Sequence, residues 1–537
     1  MYSAKMLELI KTVEATREER YKNEPNRLTA DEKKALLNGY HPDYQDSGFG
    51  TIQVGKNKGE KAPIELVELL HANSRIKGIE FDFDTPKYDV DVLIIGGGGA
   101  GASAAIEAKK AGANVMIATK LRIGDANSTM AEGGIQAADK ENDSPQQHYL
   151  DSMGGGHYAN KPELLRRLVM DGPGAISWLE NLGVMFDKEL DGTMLSVSGG
   201  GISRKRLHAC ADYTGLEITR VLINEVRNLG VPIADYTAAL ELILDENGKV
   251  AGAVLMNMLT GEYVVAKAKT VIISTGGAGR MHYHGFPTTN HYGATADGLI
   301  MAYRVGASLL YQEAIQYHPT GVAYPTQLFG ALVTEKVRSI GAQLVNIDGT
   351  AFVHPLETRD VVSSAIIREC GERGKGIPTP NGAGVWLDTP LIVKKSGASM
   401  IEQSIPGIMH MFQNYGIDIR EVPILMYPTF HYQNGGIDIE AGGNTKEIEN
   451  LFVAGEAIGG IHGRNRLLGN SMLDVVVFGR LAGKAAAEKA ASVNLGKMSL
   501  KHIDDYAKTL EAAGIENDMV SPKLLPDYVR DLHKAYN

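Results

Sequence analysis

The stretch from residue 88 to residue 120 constrains the fold of this chain more than any other. It reads YDVDVLIIGGGGAGASAAIEAKKAGANVMIATK, an apolar run, a glycine cluster, a segment of small residues and a second apolar run. Gly96, Gly98 and Gly101 have the spacing G-x-G-x-x-G, in which the glycines allow a tight turn, admit a pyrophosphate to the backbone and let a helix pack on a strand. Because the spacing lies within a strand–turn–helix–strand pattern, it predicts a Rossmann-like dinucleotide-binding unit.

Length and composition limit the class of protein further. A chain of 537 residues is too long for one core, so about two or three domains are expected. The net charge of −10 argues against a nucleic-acid partner, which requires a basic surface. Cys210 and Cys370 are the only cysteines and form no C-x-x-C motif, which excludes an internal iron–sulfur cluster and a closely spaced redox disulfide. No metal site is predicted.

The sequence shows no signal for export or membrane insertion. Its first residues are charged throughout, without the apolar segment of a secretory signal. No run of about 18 apolar residues occurs, so no membrane-spanning helix is expected. We therefore predict a cytoplasmic location, with any contact to a membrane complex made through partners.

Changes in pattern along the chain indicate an interrupted α/β fold. After an extension (residues 1–87), the dinucleotide fold runs over residues 88–311 and resumes over residues 431–491, where FVAGE reads as another strand entering a glycine turn. Residues 312–430 are richer in proline, histidine and polar residues, which is typical of an inserted α+β domain. Residues 492–537 are predicted to be a short helical tail. The extension shows a capping box at Thr29 and Glu32 and is expected to pack on its own chain or on a partner subunit.

A series of motifs then follows in order: GGGGAG, MAEGG, STGGAGR, TADG, QYHPTG, VTEKVR, TRDVV, HYQNGGI, FVAGE and HGRNRLLGNSM. This ordered set resembles the flavoprotein subunit of the succinate dehydrogenase/fumarate reductase family, whose relatives include L-aspartate oxidase. The resemblance covers residues 88 to 491. It implies a Rossmann-like FAD-binding domain in which the inserted domain caps the cofactor.

The resemblance also implies which residues contact FAD. Thr119 and Lys120 stand where nicotinamide-binding folds carry an acidic ribose ligand, which favours FAD over NAD. A carboxylate such as that of Glu456, placed after a strand-end glycine, can accept hydrogen bonds from ribityl or sugar hydroxyls. The full implied set is Gly96, Gly98, Gly99, Ala100, Gly101, Thr119, Lys120, Asn127, Ser128, Gly133, Gly134, Asp212, Gly276, Asp297, Glu456, Ser471 and Met472.

A dicarboxylate site is implied in the same way. Two carboxylates require an arginine fork, imidazole donors and a hydroxyl, and the residues matching such a clamp are His318, Thr334, Glu335, His431 and Arg466. Arg359 matches the proton donor of the family, and Glu335 with Arg338 matches its relay to solvent. In this interpretation flavin N5 delivers a hydride to one alkene carbon of fumarate while Arg359 protonates the other.

The chain also departs from the family pattern. Asn127 occupies the place of the histidine that carries covalent flavin in some members, so we predict noncovalent FAD and a preference for fumarate reduction. Ser198 stands where L-aspartate oxidases have an acidic residue for the substrate amine, which counts against aspartate. Residues 492–537 are much shorter than the C-terminal domain of membrane-complex members, which leaves the mode of partner docking open.

Three functions remain open at this level. The first is the catalytic subunit of a fumarate reductase or succinate dehydrogenase, which takes its electrons from an iron–sulfur subunit or a soluble electron carrier. The second is an L-aspartate oxidase-like enzyme. The third is a non-catalytic flavin subunit that relays electrons, against which the retention of Arg359, Glu335 and Arg338 argues.

Overall fold

The computed structural model describes residues 2–526 and shows a mixed α/β fold. Two separate sheets, each with its own hydrophobic core, account for most of the structure. The helices are Ala4–Lys22, Ala30–Tyr40, Ile64–Leu70, Gly99–Lys110, Pro145–Gly155, Pro162–Leu182, Thr214–Asn228, Asp297–Arg304, Lys336–Ser339, Arg359–Cys370, Pro390–Ser396, Ser399–Ser404, Pro406–Gln413, Asn470–Ala490 and Lys501–Ala512.

The larger sheet contains eight strands of the described chain. Four of its pairings are parallel, and they bring five strands into one layer, among them the glycine-turn strand and the returning FVAGE strand. In order across the sheet the strands are Met498–Ser499, Thr237–Asp245, Val250–Asn257, Tyr263–Ile273, Tyr88–Ile95, Val115–Ala118 and Ile233–Ala234, with Leu451–Val453 also paired to Tyr263–Ile273.

The smaller sheet is antiparallel and is formed within the segment that interrupts the dinucleotide fold. Its strands are Ile315–Tyr324, Ile424–Gln433, Gly382–Asp388 and Gln343–Val345, with Ile377–Thr379 added to Gly382–Asp388. The strand Ile424–Gln433 continues to Gln433 because it pairs with the strand that begins at Ile315. It therefore crosses the boundary predicted at residue 430.

Short two-stranded pairs complete the described secondary structure. They join Phe49–Thr51 to Lys61–Pro63, Asn73–Ser74 to Val520–Ser521, Leu309–Leu310 to Gly436–Ile437, and Ile135–Gln136 to Leu207–His208. The second of these pairs ties the C-terminal segment to the N-terminal extension. Of the predicted helical tail, Lys501–Ala512 is a helix, and residues 527–537 lie outside the described residues.

The N-terminal extension packs on its own chain. Its first helix buries Met6, Ile10 and Val13 in the core of the smaller sheet. Arg17 and Arg20 of that helix form ion pairs of 2.9 and 2.8 Å with the buried carboxylate of Asp388. Later residues of the extension pack against the larger core, so this segment contacts both parts of the fold.

Several local predictions are confirmed by the structure. The capping box at Thr29 and Glu32 is present at the start of the helix Ala30–Tyr40. The Asn247–Gly248 pair, a sequence typical of tight hairpin turns, joins the strands Thr237–Asp245 and Val250–Asn257. These features depend on a few neighbouring residues, which is why they can be read locally. Among the described residues, no helix is both long and apolar enough to cross a membrane.

Candidate active site

One cavity extends from the glycine turn to the strands of the smaller sheet. Its volume is about 1530 Å³, counting the part open to solvent. One end lies at the carboxyl ends of the parallel strands, where α/β sheets bind nucleotides. The predicted residues that line it are Gly96, Gly98, Ala100, Thr119, Lys120, Asn127, Ser128, Gly133, Gly134, Gly276, Asp297, His318, Thr334, Glu335, Arg359, His431, Glu456, Arg466, Ser471 and Met472.

The nucleotide end is shaped by the absence of side chains. Gly96 has φ +122°, and a Cβ atom there would lie 2.3 Å from the carbonyl oxygen of Ser274. At Gly101, a Cβ atom would lie 2.1 Å from the carbonyl oxygen of Gly96. The helix that follows begins at Gly99. Its N-cap residue Gly98 has no side chain, and Ser128 Oγ accepts a hydrogen bond of 3.2 Å from the amide of Gly99. This end of the cavity therefore presents backbone N–H groups and a helix N-terminus, which is the arrangement that binds a pyrophosphate.

A second helix N-terminus also faces the cavity. The helix Asn470–Ala490 begins after Gly469, which has φ +85° and provides no side-chain cap. Gly469, Ser471 and Met472 all line the cavity. The partial positive charge of a helix N-terminus favours electron-rich groups, such as the carbonyl oxygens of a flavin ring.

Polar side chains line the part of the cavity next to the end of the strand Val115–Ala118. The Lys120 ammonium donates to the carboxylate of Asp297, to the hydroxyl of Thr295 and to the carbonyl oxygen of Leu524. The amide of Leu524 in turn donates to Asp297. The C-terminal segment thus contacts two residues of the cavity wall, a contact that sequence motifs did not reveal.

Glu456 lies buried in the middle of the cavity wall. Its Oε1 accepts a hydrogen bond of 3.0 Å from the amide of Gln433, and its Oε2 accepts one of 3.4 Å from the side chain of Asn127. Burial raises the pKa of this carboxyl to about 7, against the smaller opposing effect of these hydrogen bonds. Asn127 also accepts from the amide of His291 and donates to Asn290, so its side-chain amide is fixed.

The far end of the cavity carries buried ionic side chains. Arg359 begins the helix Arg359–Cys370 and donates from Nε to Glu335 at 2.9 Å. Arg338, behind Glu335, has its Nη2 at 3.4 Å from the same carboxylate. Burial alone would raise the pKa of Glu335, but the two arginines together with the amide of Gly200 hold that pKa below its ordinary value. Burial lowers the pKa of Arg338 to about 10, although Glu335 opposes the shift.

A single amide oxygen connects the two arginines that line the cavity. The Oε1 atom of Gln316 accepts from Arg359 at 3.0 Å and from Arg466 at 2.9 Å. The Nε2 atom of Gln316 donates to Asn465 and to the carbonyl oxygen of Arg466. Gln316 belongs to the strand Ile315–Tyr324 of the smaller sheet, and it orients groups contributed by two other segments of the chain.

Two histidines and one threonine complete this end. The rings of His318 and His431 lie 4.9 Å apart on paired strands of the smaller sheet. Burial, reinforced by Arg359, lowers the pKa of both imidazoles well below the ordinary value, so both are neutral at pH 7. Thr289 bonds to His431 Nδ1 at 2.7 Å, while Thr334 lines the cavity.

Four predicted residues lie outside the cavity wall. Gly99 and Gly101 lie on the helix beneath the turn, and Arg338 lies behind Glu335. Asp212 does not line the cavity, and its contact with the cofactor stays a prediction. Its carboxylate accepts from the amides of Gly407 and Ile408, so it satisfies the N-terminus of the helix Pro406–Gln413.

Sequence reasoning also missed residues that line or organise the cavity. Gln316, Glu132 and Tyr432 each lie inside one of the ordered motifs, yet the motifs alone indicate no role for them. Glu132 and Tyr432 line the cavity directly. Their motifs provided the only available signal, because their contacts depend on residues far away in the chain.

The geometry combines a dinucleotide-binding fold with a cavity whose far end is lined by charged side chains, and comparisons with known proteins identify the family. A family model described as an FAD binding domain matches residues 91–472. The chain is 38% identical over 461 residues to a subunit of the fumarate reductase (CoM/CoB) of Methanothermobacter marburgensis, covering 83% of this chain and 80% of that protein. It is 34% identical over 436 residues to L-aspartate oxidase of Streptomyces coelicolor, covering 78% and 72% of the two chains.

Solved structures show the same similarity. The structure of E. coli quinol fumarate reductase superposes with a TM-score of 0.71 at 32% identity, covering 79% of this chain and 74% of that chain. The chain therefore belongs to the succinate dehydrogenase/fumarate reductase flavoprotein family and is an FAD-dependent oxidoreductase. The glycine cradle, the two helix N-termini that face the cavity and the continuous cavity itself fit FAD.

Proposed function

We propose that this chain is a flavoprotein catalytic subunit that interconverts fumarate and succinate, principally as a fumarate reductase. The observation that carries the proposal is the pair of buried arginines, Arg359 and Arg466, held on one oxygen of Gln316 at the end of the cavity. Arg359 has a carboxylate partner in Glu335, whereas among residues 2–526 no carboxylate oxygen lies within ion-pair distance of Arg466. A buried cation without an anion favours an anionic ligand.

A small dicarboxylate satisfies this arrangement at both of its ends. Arg466 is placed to bind one carboxylate, and the hydroxyl of Thr334 adds a donor nearby. Because His318 and His431 are neutral, each can donate one hydrogen bond without adding a charge. These donors fix the ligand next to Arg359, so one alkene carbon lies within reach of its guanidinium.

Arg359, Glu335 and Arg338 form a path along which a proton can move. FAD, when bound, supplies the hydride to the other alkene carbon. Arg359 donates a proton to the carbanion-like carbon that results, and the Glu335 carboxylate, 2.9 Å from Arg359, accepts a proton from Arg338 and passes it to the deprotonated Arg359. The lowered pKa of Arg338, about 10, makes it a better proton donor than a free guanidinium.

The catalytic test is fumarate-dependent oxidation of reduced viologen by the purified, flavin-loaded chain. Wild-type protein should turn over, and Arg359→Ala should lose activity by about 10³-fold or more while retaining flavin. Arg373→Ala serves as a control, because Arg373 is partly exposed and pairs with Glu369 away from the cavity. An inactive wild type, or equal rates in the Arg359 variant, would refute the proposal.

We further propose that FAD is held noncovalently. Asn127 lies in the cavity wall where the family pattern allows a histidine, and its amide is not a nucleophile for flavin. A noncovalent flavin has a lower potential than a covalent one, which favours fumarate reduction. Acid precipitation should release the yellow colour into the supernatant, and colour retained in the pellet would contradict this expectation.

Electrons for the reaction have to come from outside the chain. The sequence carries one dinucleotide fingerprint and no cysteine motif for a cluster, so we propose an iron–sulfur subunit or a soluble electron carrier as the donor. The similarity to an L-aspartate oxidase keeps that activity as a second candidate. Peroxide production with L-aspartate would support the second candidate, and Ser198, which provides no carboxylate for the substrate amine, argues against it.

A further inference from the structure

Arg466 is stabilised in an unusual way for a buried cation. Its Nη2 donates to Gln316 at 2.9 Å and its Nη1 to the carbonyl oxygen of Leu467 at 3.3 Å, while its Nε has no partner. Within the part of the chain that the structure describes, no acidic group forms an ion pair with Arg466. By contrast, the buried Arg359 and Arg338 both pair with Glu335, and the buried Arg206 pairs with Asp143. Something other than an ion pair must hold this charge in place.

The face of an aromatic ring lies against the guanidinium. The guanidinium carbon Cζ of Arg466 is 4.4 Å from the centroid of the Tyr432 ring, which is within the range of a cation–π contact. Tyr432 is itself buried and lines the cavity. Burial, and then the charge of Asp474, raises the pKa of Tyr432 well above its ordinary value, so it remains a phenol.

The ring is fixed from behind by two further buried side chains. The Tyr432 hydroxyl donates to Asp474 Oδ2 at 2.8 Å, and the same oxygen is 2.7 Å from His462 Nε2. Burial lowers the pKa of His462, so the neutral ring donates to Asp474 through Nε2. The ring of Tyr432 therefore lies between the carboxylate of Asp474 and the guanidinium of Arg466. The carboxylate polarises the ring without touching the guanidinium.

This arrangement differs in its consequence from a direct ion pair. A carboxylate bonded to Arg466 would occupy the N–H edge and compete with a substrate carboxylate for it. The face of a ring attracts the cation while leaving the N–H edge free. We propose that Tyr432, held by Asp474 and His462, is a positioning residue that presents Arg466 to the substrate carboxylate. This inference rests on the proposed function of Arg466 as a carboxylate ligand.

The test compares variants that keep or remove the aromatic face. Tyr432→Leu should raise KM for fumarate, and the dissociation constant of malonate measured from the flavin spectrum, by about ten-fold, with a much smaller change in kcat. Tyr432→Phe keeps the aromatic face, so its KM and dissociation constant should stay close to those of the wild type. The values for Asp474→Asn should lie between those of Tyr432→Phe and Tyr432→Leu. Tyr432→Met provides a second non-aromatic side chain of similar length if the leucine variant does not fold.

Two controls separate positioning from structural damage. Tyr506 lies over Arg304 at 5.7 Å in the larger hydrophobic core and away from the cavity, so Tyr506→Leu should lower stability without changing KM. Arg466→Gln should raise KM more than any Tyr432 variant does. If Arg466→Gln leaves KM unchanged, the proposed dicarboxylate site fails. If Arg466→Gln raises KM but folded, flavin-loaded Tyr432→Leu or Tyr432→Met matches Tyr432→Phe, only the role of Tyr432 is overturned.

Discussion

The two ends of the cavity are built on opposite principles. At the nucleotide end, the backbone forms the site, and glycines such as Gly96 and Gly101 leave the room that a ligand and a close helix require. At the other end, the proposed substrate end, long ionic side chains converge, and Arg359, Glu335 and Arg466 are all buried. The first end should therefore be damaged by adding atoms, and the second by removing charges. The following predictions test that difference.

The largest effect should come from removing a charge at the substrate end. Glu335→Gln leaves Arg359 and Arg338 buried without their shared carboxylate, which costs about 4 kcal/mol of unfolding free energy and should interrupt the proposed proton path. Denaturant unfolding and viologen-linked turnover measure the two consequences. Glu402→Gln is the matched control, because Glu402 pairs with Arg420 on the surface. Equal stability of the two variants would contradict the comparison.

The next largest effect should come from adding one methyl group at the nucleotide end. Gly101→Ala places a Cβ atom 2.1 Å from the carbonyl oxygen of Gly96, and relieving this overlap costs about 3 kcal/mol and displaces the glycine turn. Flavin content per chain and thermal unfolding measure the effect. Gly174 lies in the helix Pro162–Leu182, and a Cβ atom there meets nothing within 4 Å. Gly174→Ala should therefore retain flavin and become slightly more stable.

A smaller effect, dependent on pH, is expected between the two ends at Glu456. Its folded pKa of about 7 exceeds its ordinary value of 4.5, so between these values the folded protein retains a proton that the unfolded chain has lost. Stability of the flavin-free protein should therefore fall as pH rises from about 4.5 to about 7, by at most about 3 kcal/mol. Glu456→Gln should remove this decrease. Parallel pH profiles for the variant and the wild type would show that Glu456 does not titrate in this way.

Much of the fold could be predicted from local sequence. The capping box at Thr29, the hairpin at Asn247 and the strand–turn–helix unit around Gly98 depend on residues close together in the chain. The bonds of Asp212 to the helix Pro406–Gln413 could not be predicted, because an aspartate after a polar loop looks the same whether it faces a ligand or the amides of a distant helix. The helix it serves begins at Pro406, far along the chain.

The sequence by itself determined the family, the dinucleotide cradle and the identities of the charged residues, because each is encoded in short motifs with fixed spacing. Only the tertiary structure decided how those charges are compensated. Arg359 is neutralised by a carboxylate, whereas Arg466 lies on the face of Tyr432, with Gln316 joining the two arginines. Electrostatic interactions depend on distance and burial, and both arise when the two sheets close around one cavity.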